Sequence, residues 1–378
     1  MGRVALALLS LVAPLTMVWA APYLPANDTQ VLAELPAGAR HASLATREIT
    51  RTRLDIALPL AQFYIARARA TGDLRFLGYA EAILAPWMNR SSVPTPVLVL
   101  HATMLQSRHL FNASLSELDR ALAQNPADAQ AWLTRATVLR VLGRYAEANA
   151  ACGHLAAAAD PAITTLCVQG LNGLTGRLPG AYAAIMALPQ QALPPEARAW
   201  RYSELGEMAE RLGDDRAAEH WLRAGLAVAP DDFYMRAACA DVLLRQQRPA
   251  AALQLLSGYE SMEPMLLRIA IAQRMLHDTA GAHSDELLSN AFTVEQQRGD
   301  AVHRREQARF LLDVSWQPAA ALAAAQQNWQ VQREPDDLLI LLRAAQAAHA
   351  PKAGEPAREF LRVNRLQDIR LAPFGATP

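Results

Sequence analysis

The side chains able to do chemistry are few and scattered. His101 and His109, with Met104 between them, fall within one helical pattern and offer donors to a soft metal. Their spacing of eight residues covers two helical turns, about 12 Å, so they face one way without sharing an ion. His277 and His283 flank a turn and have no third ligand. Cys152, Cys167 and Cys239 are too dispersed for a thiolate site, which needs more ligands at closer spacing. Asp214-Asp215, Asp231-Asp232 and Asp336-Asp337 are paired carboxylates. Each pair opens a helical run, where an acid caps free N–H groups and meets the positive end of the helix. No GxSxG elbow, Walker loop, HExxH or GxGxxG occurs. These residues predict no catalytic centre, no metal site and no cofactor, and so a chain that is not an enzyme.

The elements must then carry the function. The 36 basic and 36 acidic residues cancel, which argues against a nucleic-acid partner, since such a binder presents a basic stripe. A hydrophobic share of 52% excludes a disordered chain. All basic residues but Lys352 are arginine, a bias in keeping with a GC-rich bacterial genome. Residues 1–20 have the pattern of a secretory leader: Arg3, an apolar run to Val18, and Ala20 at the cut. The chain is expected to be periplasmic or secreted, with cleavage after Ala20. The alternative, an uncleaved anchor, is disfavoured by the short run and by Pro14. No later segment is apolar enough to span a bilayer, so no membrane insertion is expected after cleavage.

Beyond the leader, apolar residues recur at three and four, predicting helices of about 12–15 residues joined by short turns. Residues 95–100 (TPVLVL) are the best strand-like run, but they lead directly into a helical pattern. Gly72, Gly143, Gly176 and Gly213 separate paired amphipathic runs, where a helix end favours positive φ. Pro126, Pro161, Pro230 and Pro335 follow the second run of a pair. Trp132, Ala136, Leu139, Gly143, Tyr145 and Ala148 make one unit; Tyr202, Leu205, Gly206, Ala209, Gly213, Ala218, Leu222, Gly225 and Pro230 make another. Leu98, Ala102, Leu105, Phe111, Ser114, Leu118, Ala121 and Pro126 fit the same frame, and Cys239 to Leu256 fits more weakly.

This pattern resembles the tetratricopeptide repeat: a bulky residue, a small one four later, a large one, a glycine turn, an aromatic, a small residue and a closing proline. The departures are Arg135 where the family has leucine and a one-residue shift of the proline at Asp160-Pro161. The resemblance covers about residues 55–350 and is strong over 95–265. It implies an all-α, right-handed superhelical solenoid of stacked antiparallel helix pairs. The expected organisation is a leader (1–20), a lead-in (21–54), a degenerate hairpin (55–94), core repeats (95–265), degenerate repeats (266–335), and C-terminal capping helices with a tail (336–378).

In the resembled fold the first helix of each pair lines a concave groove. The resemblance places Thr103, Gln106, Thr137, Arg140, Glu207, Arg211, Asp241, Arg245 and Arg274 there. Their mixed signs suit a polar helix or loop better than a bare carboxylate. The resemblance also sets Cys152 and Cys167 facing each other, making a disulfide credible; two reduced buried thiols are the alternative. Cys239 falls in an apolar core position. The last helix, about residues 357–371, puts Phe360, Leu361 and Leu366 inside and Arg358, Arg362, Arg365 and Arg370 outside, as a solvated cap. The function expected is a non-catalytic scaffold of the cell envelope that binds a polypeptide partner. The rivals are a periplasmic carrier of a metal or small ligand, and a non-catalytic subunit of an envelope enzyme or transport complex.

Overall fold

In a computed structural model, residues 48–189, 193–298 and 303–375 are described. The expected leader and most of the lead-in lie outside them. Among the described residues there is no strand, and none of their helices is long and apolar enough to cross a membrane.

The helices come in consecutive pairs: α1 (Leu54–Thr71) with α2 (Arg75–Met88), α3 (Thr95–Ser107) with α4 (Phe111–Gln124), and α5 (Ala129–Val141) with α6 (Tyr145–Leu155). Then follow α7 (Pro161–Asn172) with α8 (Leu178–Met186), α9 (Pro195–Leu212) with α10 (Asp215–Val228), and α11 (Phe233–Arg245) with α12 (Pro249–Leu256). Next are α13 (Glu263–Met275) with α14 (Gly281–Arg298), and α15 (Arg304–Arg309) with α16 (Pro318–Val331). The last pair is α17 (Pro335–Ala347) with α18 (Glu355–Asn364). A π turn at Phe310–Val314 prolongs α15, and a 3₁₀ turn at Ile369–Phe374 follows α18. The strand-like run at 95–100 is the first turn and a half of α3.

The turn inside each pair is built one way. The first helix ends in a left-handed residue: Gly72, Gly143, Gly176 and Gly213 as expected, but also His109, Gln247, His277, Trp316 and His349. In several pairs the N–H beyond that residue closes back on a carbonyl five residues earlier, as from Arg144 to Leu139 (2.8 Å), Arg248 to Leu243 (2.9 Å) and Ala350 to Ala345 (2.9 Å). His109 thus lies past the end of α3, not on one helix with His101, and its ring stacks on Phe111 with centroids 5.2 Å apart. The next helix begins with its own signal: Asp214 accepts from the Ala217 N–H (2.9 Å) and Asp232 from the Met235 N–H (2.8 Å).

Small residues set the approach. A Cβ on Gly206 would stand 2.7 Å from Leu222 Cγ, so α9 and α10 meet backbone against side chain. Ala136, Ala148, Leu139, Ala218 and Leu222 are all buried. Each large apolar side chain so placed contributes about 1.5–3 kcal/mol. One pair has too few of them to offset its ordering entropy, and stacking supplies the rest. A disulfide joins Cys152 on α6 to Cys167 on α7, tying adjacent pairs across 15 residues. Closing a loop of that size contributes about 3 kcal/mol. Cys239 is a buried thiol, and burial pushes its pKa up to about 11.

The C-terminal region departs from the expected solvated cap. α18 ends at Asn364, where Arg365 turns left-handed (φ 53°), and the chain then runs back over the middle pairs. Phe360, Arg365 and Ile369 lie against the turns at Gly143, Gly176 and Gly213. Leu361, Leu366 and Leu371 are buried in one core with Leu139, Tyr145 and Leu171. The Gln367 side-chain carbonyl accepts from the Leu178 N–H (2.9 Å), and the Arg333 N–H donates to the Val141 carbonyl (2.8 Å). Arg370, expected outside, has a side chain only 11% exposed. The next residue, Leu371, is fully buried, and the Arg370 charge finds carboxylates there.

Candidate functional site

The first helices of the pairs share a face, and their charged residues meet on it. Arg140 at the end of α5 donates to Glu204 and to Glu207 (3.2 Å), both on α9. The Glu204 carboxylate, also held by Trp200 Nε1 (3.0 Å), lies over Gly170, where a Cβ would come within 3.2 Å of it. Glu207 accepts further from Tyr234 Oη (3.1 Å) and Ser203 Oγ (3.2 Å). Burial raises the Glu207 carboxyl to about 7, against the pull of Arg140.

From α9 the pairing becomes a circuit. Glu210 accepts from Arg245 of α11 (2.5 Å), which also holds Asp215 (2.8 Å). Asp241 of α11 takes Arg268 of α13 (2.6 Å) and both guanidinium N–H groups of Arg309 of α15 (2.9 and 3.0 Å). Burial opposes the Asp241 charge, yet the two arginines hold its carboxyl well below the usual carboxylate range. Asp313, one turn after Arg309, pairs with Arg343 of α17. At the head of α17, Asp336 accepts from Arg370 (2.9 Å), and Arg370 returns to Glu210 (2.6 Å) while Asp368 steadies it (2.6 Å). The ring runs α9, α11, α15, α17, tail and back to α9.

Beside it, Asp337 is fully buried as the third residue of a capping box closed by Glu334. It accepts from Asn328 (2.7 Å), lies 2.7 Å from Arg305 Nε, and has its carboxyl raised to about 6 by burial. The helix-start reading of Asp336-Asp337 therefore holds for Asp337, whereas Asp336 serves the ring.

Of the expected groove residues, Arg140, Glu207, Asp241 and Arg245 do come together on this face. Arg211 does not line it as an open contact: its side chain is buried, and Nη1 donates to the Gly173 carbonyl (2.6 Å) between α9 and α7. Arg274 lies apart and pairs with Asp285 on α14 (2.7 Å). Thr103 and Thr137 turn their hydroxyls onto their own helices, bonding Val99 and Leu133 carbonyls (2.9 and 3.0 Å). Gln106 is half-buried on α3. Sequence reading did not bring in Glu204, Glu210, Arg268, Arg305, Arg309 or Arg343, and it placed Arg370 outside. The recurrence of arginine on first helices was the available signal.

The arginines of this face are matched by carboxylates, and Arg370 of the C-terminal segment is one of them. An open cleft of about 450 Å³ lies elsewhere, lined by Gln326, Gln327, Trp329, Gln330 and Pro356, without titratable side chains.

No known protein family matches the sequence, and no curated protein matches it. Among solved structures, the APC/C hetero-tetramer Cut9–Hcn1 contains a chain similar over 89% of this one at 12% identity, with a TM-score of 0.47. The present chain spans 58% of that chain's length. The TPR domain of P58(IPK) is similar over 74% of this chain and 96% of its own, at 14% identity and a TM-score of 0.26.

Proposed function

We propose that this chain is a non-catalytic protein-interaction scaffold of the cell envelope that binds a polypeptide partner on the face shared by its first helices. One observation carries the reading: that face already accepts one arginine of the chain's own C-terminal segment, Arg370, while the rest of the segment runs along the turns at its edge. Arg370 sits between Glu210 and Asp336, while Phe360 and Ile369 lie on glycine turns of the stack. A partner segment that alternates arginine with large apolar residues would compete for the same places. Export is supported by the leader-like pattern at 1–20 and by the Cys152–Cys167 disulfide, which fits an oxidising compartment.

The test compares the intact chain with an Ile369→Asp/Arg370→Glu variant in which the tail is released. Both are immobilised and exposed to envelope extract. The expected result is a saturable partner captured more strongly by the released variant and displaced by a synthetic peptide of residues 357–374. Equal capture by both chains, or capture indifferent to the peptide, would refute this function.

A further inference from the structure

Away from the ring, three side chains from three elements converge on one point. Glu263 is the first residue of α13, Glu295 lies near the end of α14, and His303 immediately precedes α15. His303 Nδ1 stands 2.7 Å from Glu295 Oε1 and 3.2 Å from Glu263 Oε1. One donor atom from each residue lies within 4.8 Å of the other two. The side chains are largely enclosed, with exposures of 23% for His303, 24% for Glu295 and 13% for Glu263.

An imidazolium paired with glutamates accounts for only part of this geometry. Nδ1 carries at most one hydrogen, and Glu295 is placed to accept it. Glu263 Oε1 is then buried with no hydrogen-bond partner, although it points at the same nitrogen. The charges acting most strongly on Glu263 are His303, Glu295 and Glu306, with no arginine among them. Glu306 is offset by Arg305 and Arg268, but the two enclosed carboxylates still outweigh one imidazolium, and a buried charge that is not compensated is costly.

We propose that Glu263, Glu295 and His303 form a binding site for one divalent cation of the zinc type. The cation would replace the Nδ1 proton, accept the imidazole lone pair and one oxygen from each glutamate, and leave a further position for water. Donor separations of 2.7 and 3.2 Å are shorter than the edges, about 3.3–3.6 Å, of a tetrahedron built on bonds of about 2.0–2.2 Å, so the glutamates would draw back by a few tenths of an ångström to admit the ion. One nitrogen and two carboxylates suit zinc better than calcium, which gathers six to eight oxygens. A bound ion would fasten the start of α13, the end of α14 and the entry to α15, and so stabilise the folded chain.

The experiment uses the full chain, stripped with a chelator and titrated with Zn²⁺ by calorimetry and by thermal melting, with Ca²⁺ in parallel. One Zn²⁺ per chain and a Tm that climbs with Zn²⁺ are expected. Co²⁺ in its place should give a visible d–d spectrum. Glu295→Gln and His303→Ala should each weaken zinc binding by about tenfold or more, while His220→Ala leaves it unchanged. Glu295→Gln keeps shape and decides the matter if His303→Ala fails to fold. The absence of one-to-one zinc binding would overturn the proposal, as the mark of a triad that holds only a proton. So would equal zinc affinity in Glu295→Gln and wild type, or calcium bound as tightly as zinc.

Discussion

In the pairs from α3 to α10, helices meet their neighbours in the chain through Ala, Gly and Leu. The segment from α15 to residue 374 is held to those pairs differently, through a buried apolar strip crowned by arginines and carboxylates. Its contacts join residues far apart in sequence: Arg370 to Glu210, Gln367 to Leu178, Arg333 to Val141. Apolar packing between neighbours is tolerant of exact partner but intolerant of charge. An enclosed ion pair is the reverse, since removing one member strands the other in a poorly solvated place. The stack should therefore fail when charged, and the seam should fail when a single charge is deleted.

The sharpest break should come from the stack. Leu139→Asp or Ala218→Arg puts a charge where the native side chain is fully buried. Each should cost about 4 kcal/mol or more and abolish the cooperative far-UV melt of at least the central pairs. A melt unchanged by either would dissolve the distinction. Next is the seam. Asp241→Ala strands Arg268 and Arg309 together and should cost about 3–5 kcal/mol in denaturant unfolding. A cost near zero would reduce the ring to surface pairing.

A pH series sharpens the same contrast. The Glu207 carboxyl ordinarily titrates at 4.5 and is raised by burial to about 7. The folded chain then keeps a proton that the unfolded chain releases between those values. The stability tied to this group is full below the unfolded value and is lost as pH rises through the folded one. Glu207→Gln should flatten this part of the stability profile between about pH 4.5 and 7, leaving the Asp337 contribution of the same sign. An unaltered profile would mean that Glu207 is charged and well solvated. The smallest effect is expected at a turn of the stack. Gln247 holds φ 57° where other pairs have glycine, so Gln247→Gly should raise stability by roughly 0.5–1 kcal/mol. A loss would show that the Gln247 side chain is needed there.

The legible half of the molecule is the local half. Glycine turns, Asp214 and Asp232 caps and the small residues at Ala148 and Ala218 act within a few residues or between neighbouring helices, so spacing reveals them. Pairs that turn at His109, Gln247, His277, Trp316 and His349 were legible as pairs from their apolar spacing, but their turn residues were not, since these are not turn formers. The seam was hidden for a deeper reason. Arg358, Arg362, Arg365 and Arg370 read as a solvated face, and for Arg362, which is 72% exposed, that holds. Periodicity cannot tell a charge facing water from one facing Glu210, which lies 160 residues away. The same limit concealed Glu263, Glu295 and His303, whose meeting depends on how three elements are set together. Four of the residues expected to line a groove, Arg140, Glu207, Asp241 and Arg245, were therefore legible as sharing a face, but their ion pairs with other elements were not.

A double-mutant cycle on Glu210→Ala and Arg370→Ala measures whether the tail returns onto α9 in solution. Unfolding free energies of the two single variants and the double variant should reveal a coupling of about 1 kcal/mol or more between residues so distant in the chain. Effects that add to within about 0.3 kcal/mol would mean that the two side chains do not meet in solution, and that the face stands open.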